Sequence, residues 1–512
     1  MLRTLYGHAA AYPYELRITI CGFPMEKALP LEKDRPLTKP VTTVPLVVDL
    51  DGTLVKTDLM VESFFALIKQ NPLLVFLCPF WLLKGRAFFK QQITRRVTLD
   101  VSVLPYHRDL LDHLKAQHAR GRPLVLATAN DERIARQVAD HLQLFDRVLA
   151  SNGTLNLSHR HKRERLIEVF GEKGFDYAGN ARQDLEVWSS ARKAIIVNSP
   201  QSVSRKAAGI AEIEQFFNDR EGWLRPYIQA LRLQQWIKNL LVFVPLVMAH
   251  RYKELDLLGE AFLAFLAFGL CASSVYLIND LTDLPADRHH PRKRQRPFAS
   301  GELSLFWGLA SIPLLLGLSV VVSLFLPLSF LGMLLLYYFL NLGYSFTLKR
   351  IVLLDVIVLA GLYTMRIMAG SAAISIWPSP WLLAFSTFLF FSLALVKRYA
   401  ELVIMRGVSG EKAQVRGYQV IDMELLASLG GGSGYVAVLV LAIYISSGAA
   451  EMLYTREGFL WLLCPLLLYW ISYVWLIAHR GGMHDDPLVF TLRNRVSRIV
   501  ILLVVAIVLF AR

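Results

Sequence analysis

Three aspartates and a run of basic residues lie close together in the segment NDLTDLPADRHHPRKRQRP, residues 279–297. Asp280, Asp283 and Asp287 recur at spacings of three and four residues, so on a helix they share one face. Carboxylates placed in this way repel one another unless a cation lies between them. Together with Asn279 they form the hard-oxygen set that Mg²⁺ prefers in proteins.

Basic residues follow the acids directly. Lys293 and Arg296 can neutralise the remaining charge of a phosphate group, arginine as a bidentate fork and lysine as a point charge. The loop therefore predicts a site for a diphosphate bridged by Mg²⁺. A solvated loop that only sets membrane topology is the alternative, and it accounts for the basic half but not for three acids.

Long apolar runs dominate the chain from about residue 236 onward, whereas the first two hundred residues resemble a soluble protein. Hydrophobic residues make up 54% of the chain and its formal net charge is +14. This charge suits loops that face anionic lipid or a protein that handles phosphates. The basic residues are spread over interhelical loops, which argues against a nucleic-acid partner. Four widely spaced cysteines are interpreted as structural.

We predict nine membrane spans, at about 236–250, 258–278, 303–325, 328–347, 352–373, 381–396, 432–449, 458–478 and 496–511. The loops at 279–302, 349–350, 397–431 and 479–495 carry most of the Lys and Arg residues. This bias predicts a cytoplasmic N-terminal domain and a C-terminus outside. A count of eight would put the loop at 479–495 on the wrong side.

The N-terminal part alternates apolar strands with helical stretches, which predicts a parallel α/β sheet covered on both faces. The expected strands are 44–50, 123–129, 146–150, 175–179 and 194–198. Residues 1–43 are expected to be a disordered leader without a signal peptide, and Met25 is a possible start. Residues 59–89 are expected either to rest on the bilayer or to form a buried helical hairpin, because the apolar piece Pro72–Leu83 is too short to span.

The pattern NDxxDxxxDxxHPxKxxRPxxxG, read from Asn279 to Gly301, resembles the first Asp-rich motif of the UbiA superfamily of intramembrane prenyltransferases. The resemblance covers about residues 225–512. It implies a bundle of nine transmembrane helices with a polar cavity that opens to the cytoplasm and to lipid. It also implies catalytic and metal-binding roles for the aspartates of the loop, with Mg²⁺ as cofactor.

The second motif region indicates the branch of the superfamily. Asp355 is followed four residues later by Leu359, where many aromatic prenyltransferases have a second aspartate. The segments LQQWIKN, LKRIVLLD and KRYAEL resemble decaprenyl-phosphate phosphoribosyltransferases. This resemblance implies transfer of ribose 5-phosphate from phosphoribosyl pyrophosphate to a polyprenyl phosphate in a bacterial-type inner membrane, with Asp355 in catalysis.

A phosphate acceptor needs cations of its own, beyond those that hold the donor. The candidates for binding it are Lys238, Lys349, Arg366, Lys397 and Arg398. Arg366 lies deep in a predicted span, where a charge is costly and by default functional. The alternative for Arg366 is a structural ion pair inside the bundle. Asp355 lies three turns away along the same helix face.

Two other functions remain open. A prenyltransferase would use a polyprenyl diphosphate and an aromatic or other small acceptor, and would not need the extra basic set. A transporter or scaffold is the other class, but the spans show no clear two-half repeat. The oligomeric state is open.

The N-terminal stretch VVDLDGTL resembles the first motif of the haloacid dehalogenase (HAD) superfamily, over about residues 44–210 with a cap at about 59–110. The resemblance implies that Asp49 is a nucleophile and Asp51 a general acid/base, both at the metal. It further implies that Thr128 and Lys162 hold phosphate and that Asp184 helps to bind Mg²⁺. Asn180 stands where the family commonly has aspartate, so a degenerate scaffold is the alternative. An active domain could remove the 5-phosphate from the lipid product.

Overall fold

The computed structural model describes residues 44–152, 156–158, 160–219, 222, 224–410, 414–448, 450–483 and 486–512. The predicted leader at 1–43, with Met25, lies outside these residues.

Six parallel strands form one sheet in the order β3–β2–β1–β4–β5–β6. The strands are β1 (Leu46–Val48), β2 (Leu124–Asp131), β3 (Arg147–Ser151), β4 (Asp176–Gly179), β5 (Lys193–Val197) and β6 (Glu212–Phe217). The five predicted strands are confirmed, and β6 is an edge strand that the prediction missed. The sheet therefore extends beyond residue 210, the predicted end of the domain.

The residues of β1 alternate between the two faces of the sheet, as the period of two requires. Leu46 and Val48 belong to one buried cluster, and Val47 belongs to another on the opposite face. Both faces are covered by helices: α1 (Leu59–Gln70), α2 (Cys78–Leu83), α3 (Arg86–Thr94), α4 (Arg108–Ala119), α5 (Glu132–Leu142), α6 (Arg160–Phe170), α7 (Leu185–Trp188) and α8 (Gln201–Ala208). The predicted parallel α/β architecture is confirmed.

The segment Pro72–Leu83 consists of a 3₁₀ helix, Pro72–Leu77, followed by α2. Most of its large apolar side chains are exposed: Leu73, Phe76, Leu77, Phe80, Leu82 and Leu83. The segment is therefore no buried hairpin. An exposed apolar surface of this kind favours the alternative in which it rests on a lipid surface.

The rest of the chain is an α-helical bundle. Its helices are α9 (Leu224–Leu231), α10 (Val244–Met248), α11 (Leu255–Thr282), α12 (Leu284–His289), α13 (Leu305–Ser323), α14 (Leu328–Phe346), α15 (Leu354–Ala373), α16 (Pro380–Ser409), α17 (Met423–Ser446), α18 (Leu463–His479), α19 (Pro487–Arg493) and α20 (Arg495–Ala511). Two short strands, β7 (Gln414–Val415) and β8 (Tyr418–Gln419), pair between α16 and α17. The protein is a multi-pass membrane protein.

Seven helices of the described chain are long and apolar enough to cross a membrane: α11, α13, α14, α15, α16, α17 and α18, with α17 and α18 extended by preceding 3₁₀ turns. An eighth candidate is the pair α19 and α20, which is bent by 83°. The predicted span at 236–250 is not a long α-helix, because it consists of the 3₁₀ helix Leu233–Phe243 followed by α10. The prediction of nine regular spans is corrected in these two places.

The 3₁₀ helix at Leu233–Phe243 packs tightly against α15. A Cβ atom on Gly370 of α15 would lie 2.0 Å from the carbonyl oxygen of Val242, so only glycine permits this approach. The close contact brings Asn239 beside Arg366, and thereby positions part of the site described next.

Candidate functional site

The Asp-rich loop is a broken helix. Asp280 lies in the last turn of α11, Asp283 lies between α11 and α12, and Asp287 lies in α12. Pro285 stands in the first turn of α12, and its ring disfavours a continuous helix through the residues before it. The expectation that one uninterrupted helix stacks all three carboxylates on one face is therefore wrong.

Each of the three carboxylates has basic partners. Arg296 donates to Asp280 at 3.1 Å and to Asp287 at 2.6 Å. Asp280 also accepts from Arg232, a residue that the sequence prediction missed. Asp280 and Asp287 are buried, so these charge-assisted bonds compensate the cost of removing the carboxylates from water.

Asp283 is bound by two lysines from different parts of the molecule. Lys69 of α1 donates to one of its oxygens at 2.9 Å, and Lys349 donates to the other at 3.2 Å. Lys349 therefore lies at the Asp-rich loop, apart from the predicted acceptor-binding residues Lys238 and Lys397. Lys293 is exposed on the same loop, within electrostatic range of Arg296 and Asp287.

The loop residues suit a divalent metal by their chemistry. The side-chain oxygen of Asn279 is buried and accepts no hydrogen bond in the described part of the chain. It lies next to Asp280, and amide and carboxylate oxygens are the ligands that Mg²⁺ takes. Across the described ranges, no three His, Cys, Asp or Glu residues converge in the way of a preformed metal cage. Asn279 and the aspartates of the loop are therefore the residues that would hold Mg²⁺.

A second group of charges surrounds Asp486. Lys238 and Lys397 approach the same oxygen of Asp486 at 2.9 and 3.0 Å, and the hydroxyl of Tyr363 donates at 3.1 Å. Arg366 lies 5.4 Å from the centre of the Tyr363 ring. Three predicted substrate-binding cations thus meet around one carboxylate. Asp486 was missed, although an acid before the proline that opens α19 is a typical helix N-cap.

Arg366 is buried and held by polar groups of the bundle. It donates to the side-chain oxygen of Asn239 at 3.0 Å and to the hydroxyl of Tyr337 at 2.7 Å. Asp355, on the same helix, is bonded to other residues. The hydrogen-bond partners of Arg366 are thus neutral groups, and its role in binding substrate stays a prediction.

Asp355 pairs with Arg398 instead, at 2.5 Å, and both side chains are fully buried. The second oxygen of Asp355 accepts from Tyr418 at 2.5 Å, and Arg398 also donates to Tyr344 at 2.8 Å. Because these partners already satisfy both groups, the geometry favours a structural ion pair over the predicted roles in catalysis and substrate binding.

The α/β domain brings its predicted site residues together at the carboxyl ends of its strands. Asp49 follows β1 and accepts from Lys162 at 2.7 Å. Thr128 lies buried in β2, and its hydroxyl accepts from the backbone of Asn130 at 3.1 Å. Asp51 accepts from the side chain of Asn130 at 2.7 Å. Asn130 was missed by the sequence prediction.

Burial disfavours the charged form of both aspartates in this site. It raises the pKa of Asp49 to about 6, although the neighbouring Lys162 opposes the shift. Burial, together with the charge of Asp58, raises the pKa of Asp51 well above its usual value. A carboxyl group that keeps its proton in this way suits the role of a general acid.

Asp184 accepts three hydrogen bonds from other groups of the protein. One of its oxygens accepts from the backbone of Asn180 and of Ala181, both at 2.9 Å, and the other accepts from the hydroxyl of Tyr177 at 2.9 Å. These bonds brace the loop, and the role of Asp184 as a metal ligand stays a prediction. The amide of Asn180 lies over Gly52, where an added Cβ would be 2.1 Å from its nitrogen. Asp49, Asp51 and Asn180 are the oxygen donors that fit a metal here.

Lys90 of the cap also reaches this site. Its ammonium group donates to the carbonyl of Ala129 in β2 at 2.7 Å. Burial lowers the pKa of Lys90, while the charges of Asp51 and Asp58 oppose the shift. Periodicity could not reveal this contact because α3 and β2 are far apart in sequence.

The model of the UbiA prenyltransferase family matches residues 240–495, which is half of the chain and contains the Asp-rich loop and Asp486. The chain belongs to the UbiA prenyltransferase family. The bundle is hereafter the UbiA domain.

Two relatives match the UbiA domain with high coverage. The uncharacterized protein y4nM of Sinorhizobium fredii is 35% identical over 89% of this chain and 88% of its own length, so it includes the α/β domain. The decaprenyl-phosphate phosphoribosyltransferase of Mycolicibacterium smegmatis is 30% identical over 54% of this chain and 88% of its own length.

Solved structures resemble each half. A UbiA homologue from Archaeoglobus fulgidus bound to DMAPP and Mg²⁺ is 18% identical, with a TM-score of 0.42, over 55% of this chain and 98% of that chain. A HAD family hydrolase from Salmonella enterica is 13% identical, with a TM-score of 0.26, over 34% of this chain and 68% of that chain.

Proposed function

We propose that the UbiA domain transfers 5-phosphoribose from phosphoribosyl pyrophosphate to a polyprenyl phosphate. The observation that carries the proposal is the meeting of Lys238, Lys397 and Arg366 around Tyr363 and Asp486. Among the described residues, three cations against one carboxylate leave positive charge for a phosphate acceptor, whereas an aromatic acceptor would not require it. The 30% identity to a decaprenyl-phosphate phosphoribosyltransferase supports the same reaction.

The Asp-rich loop would hold the donor. Asn279, Asp280, Asp283 and Asp287 would hold Mg²⁺, which when bound neutralises charge on the diphosphate. Arg296 and the loop lysines would bind the remaining phosphate oxygens.

The transfer balances without a general base. The bond from the anomeric carbon to the pyrophosphate oxygen breaks, and pyrophosphate leaves with that electron pair. An oxygen of the acceptor phosphate forms the new bond to the same carbon. Because this oxygen is already anionic, no proton has to be removed, and the chain's task is to position two anions and stabilise them.

Label transfer tests this function. Detergent-purified protein with Mg²⁺, polyprenyl phosphate and radiolabelled phosphoribosyl pyrophosphate should give label in the organic phase. Asp280→Asn should reduce that label at least a hundredfold, because it removes a charge at the donor's metal. Absence of lipid label, together with activity on a polyprenyl diphosphate and an aromatic acid, would assign the protein to prenyl transfer, the second candidate that its family membership favours.

We further propose that the α/β domain removes the 5-phosphate from the lipid product. Asp49 would attack phosphorus, Asp51 would protonate the departing sugar oxygen, and water would then hydrolyse the aspartyl phosphate. A cavity of about 330 Å³ is lined by both domains, by Gly52 and Lys56 on one side and by Gln295 and Gly301 on the other, and this shared space supports the proposal.

Phosphate release from the purified phosphoribosyl lipid tests this second activity. The wild-type protein should release inorganic phosphate, and Asp49→Asn should release none, because an amide cannot act as the nucleophile. Equal release by the two proteins, or none by either, would leave the α/β domain with a scaffolding role. The transferase assay is independent of that outcome.

A further inference from the structure

One helix of the α/β domain runs from one candidate site to the other. At its start, the backbone N–H of Leu59 in α1 donates to Asp51 at 3.0 Å. At its end, Lys69 donates to Asp283 of the UbiA domain at 2.9 Å. The twelve residues of α1 cover about 18 Å, at about 1.5 Å per residue.

The middle of α1 is fixed against the Asp-rich loop. Glu62 accepts two N–H groups of Arg288, at 2.8 and 2.6 Å, in a buried bidentate pair. Phe65, one turn further along, packs in a buried cluster with Leu281 and Leu284 of the UbiA domain. These contacts determine where the end of α1 lies, so the position of Lys69 is set by the core of the interface.

The contact of Lys69 contributes little to stability by itself. Its side chain is 30% exposed and that of Asp283 is 28% exposed, and ion pairs this accessible to water are typically worth about 0–1 kcal/mol. Asp283 takes one N–H from Lys69 and one from Lys349, while each ammonium group carries three. Two cations on one carboxylate leave further N–H donors and a net positive charge at Asp283 of the Asp-rich loop.

We propose that Lys69 binds phosphate oxygens of the diphosphate donor, so that the α/β domain completes the substrate site of the UbiA domain. The proposal rests on the diphosphate donor of the proposed function. In this arrangement Lys69 and Lys349 form a pair of phosphate ligands around Asp283. The two domains then share one donor site, in addition to being fused in one chain.

Calorimetric binding of inorganic pyrophosphate with Mg²⁺ to the full chain tests the proposal. Lys69→Gln should raise the Kd about tenfold, the order expected for one lost charge-assisted hydrogen bond, and Lys69→Arg should restore most of the affinity. Lys84→Gln is the matched control, because it removes the same charge from the same segment, where Lys84 lies over Phe88. Its Kd should equal that of the wild type.

Lysine footprinting of the wild-type protein provides a test that needs no variant. Pyrophosphate with Mg²⁺ should reduce acetylation of Lys69 by an amine-reactive reagent and leave that of Lys84 unchanged. If the wild-type protein binds pyrophosphate but neither the Kd of Lys69→Gln nor the acetylation of Lys69 changes, the role of Lys69 is overturned and the proposed donor stands. If the wild-type protein does not bind pyrophosphate at all, the proposed donor itself is wrong.

Discussion

At the scale of single residues, the membrane half separates its charges into two kinds. Around Asp283 and Asp486, cations outnumber carboxylates, and the groups are within reach of a substrate anion. Asp355 and Arg398 are instead fully buried and paired with each other, with Tyr418 as a further partner of Asp355 and Glu401 as a further partner of Arg398. The excess of positive charge, and not its mere presence, is what marks a phosphate site.

This distinction predicts a stability effect for the buried pair. Arg398→Met should destabilise the protein by about 3–5 kcal/mol, because it leaves the buried Asp355 as an uncompensated charge. Asp355→Asn should destabilise it less, because Arg398 keeps Glu401 as a partner at 2.5 Å. The double variant Asp355→Leu with Arg398→Met should lose clearly less than the sum of the two. Unfolding in SDS titrations measures the three differences.

The KM for the acceptor, measured for the folded single variants, can contradict the structural role of this pair. If Asp355→Asn unfolds like the wild type and raises the KM for the acceptor instead, then Asp355 contacts substrate, as the sequence prediction had it.

At the scale of elements, the sequence predicts what is local and misses what depends on distant partners. Continuous apolar runs predicted five strands because a buried parallel strand needs no polar face. The strand β6 was not predicted because it is an edge strand whose residues alternate between exposed and half-buried positions. The stretch Leu233–Phe243 has the composition of a span, but its 3₁₀ geometry depends on tight packing against Gly370.

The candidate sites show the same limit. The spacing in the Asp-rich loop and the order of the HAD-like motifs were visible in the sequence, since each lies within a few residues or directly after a strand. The pair of Glu62 with Arg288 joins residues 226 positions apart, and Lys69 and Asp283 are 214 apart. The periodicity of apolar residues along the sequence does not reveal contacts between residues this far apart. Only the structure therefore shows that α1 contacts the Asp-rich loop.

At the scale of the whole molecule, contacts at the helix ends assign the two sides of the bundle. Lys69 and Glu62 place the loop after α11 on the side of the α/β domain. The start of α11 is at the opposite end of a helix about 42 Å long, at about 1.5 Å per residue. The chain must therefore cross the bundle between α9 and α11.

The irregular stretch from Leu233 to Met248 makes this crossing. The eleven residues of the 3₁₀ helix rise about 2.0 Å each and the five residues of α10 rise about 1.5 Å each. The stretch is therefore about 30 Å long, which is the thickness of the hydrocarbon layer. We expect this stretch, together with the seven long helices and α20, to give nine crossings of the bundle in the described chain. Arg512 accordingly contacts Tyr252 on the side away from the α/β domain.

We expect the α/β domain to face the cytoplasm and the C-terminus to face outward in a bacterial inner membrane. The basic loops on the side of the α/β domain, such as those at 279–302 and 397–431, outweigh Arg251, Lys253 and Arg456 on the other side, as the positive-inside rule requires. In a variant without the native cysteines, Met452→Cys should react with a membrane-impermeant maleimide in intact spheroplasts, because Met452 is 89% exposed on the outer side. Glu172→Cys, on the exposed surface of the α/β domain, should react only after lysis. The reverse labelling pattern would mean that the α/β domain faces outward. Both proposed phosphate sites would then lie on the side that a cytosolic sugar donor does not reach.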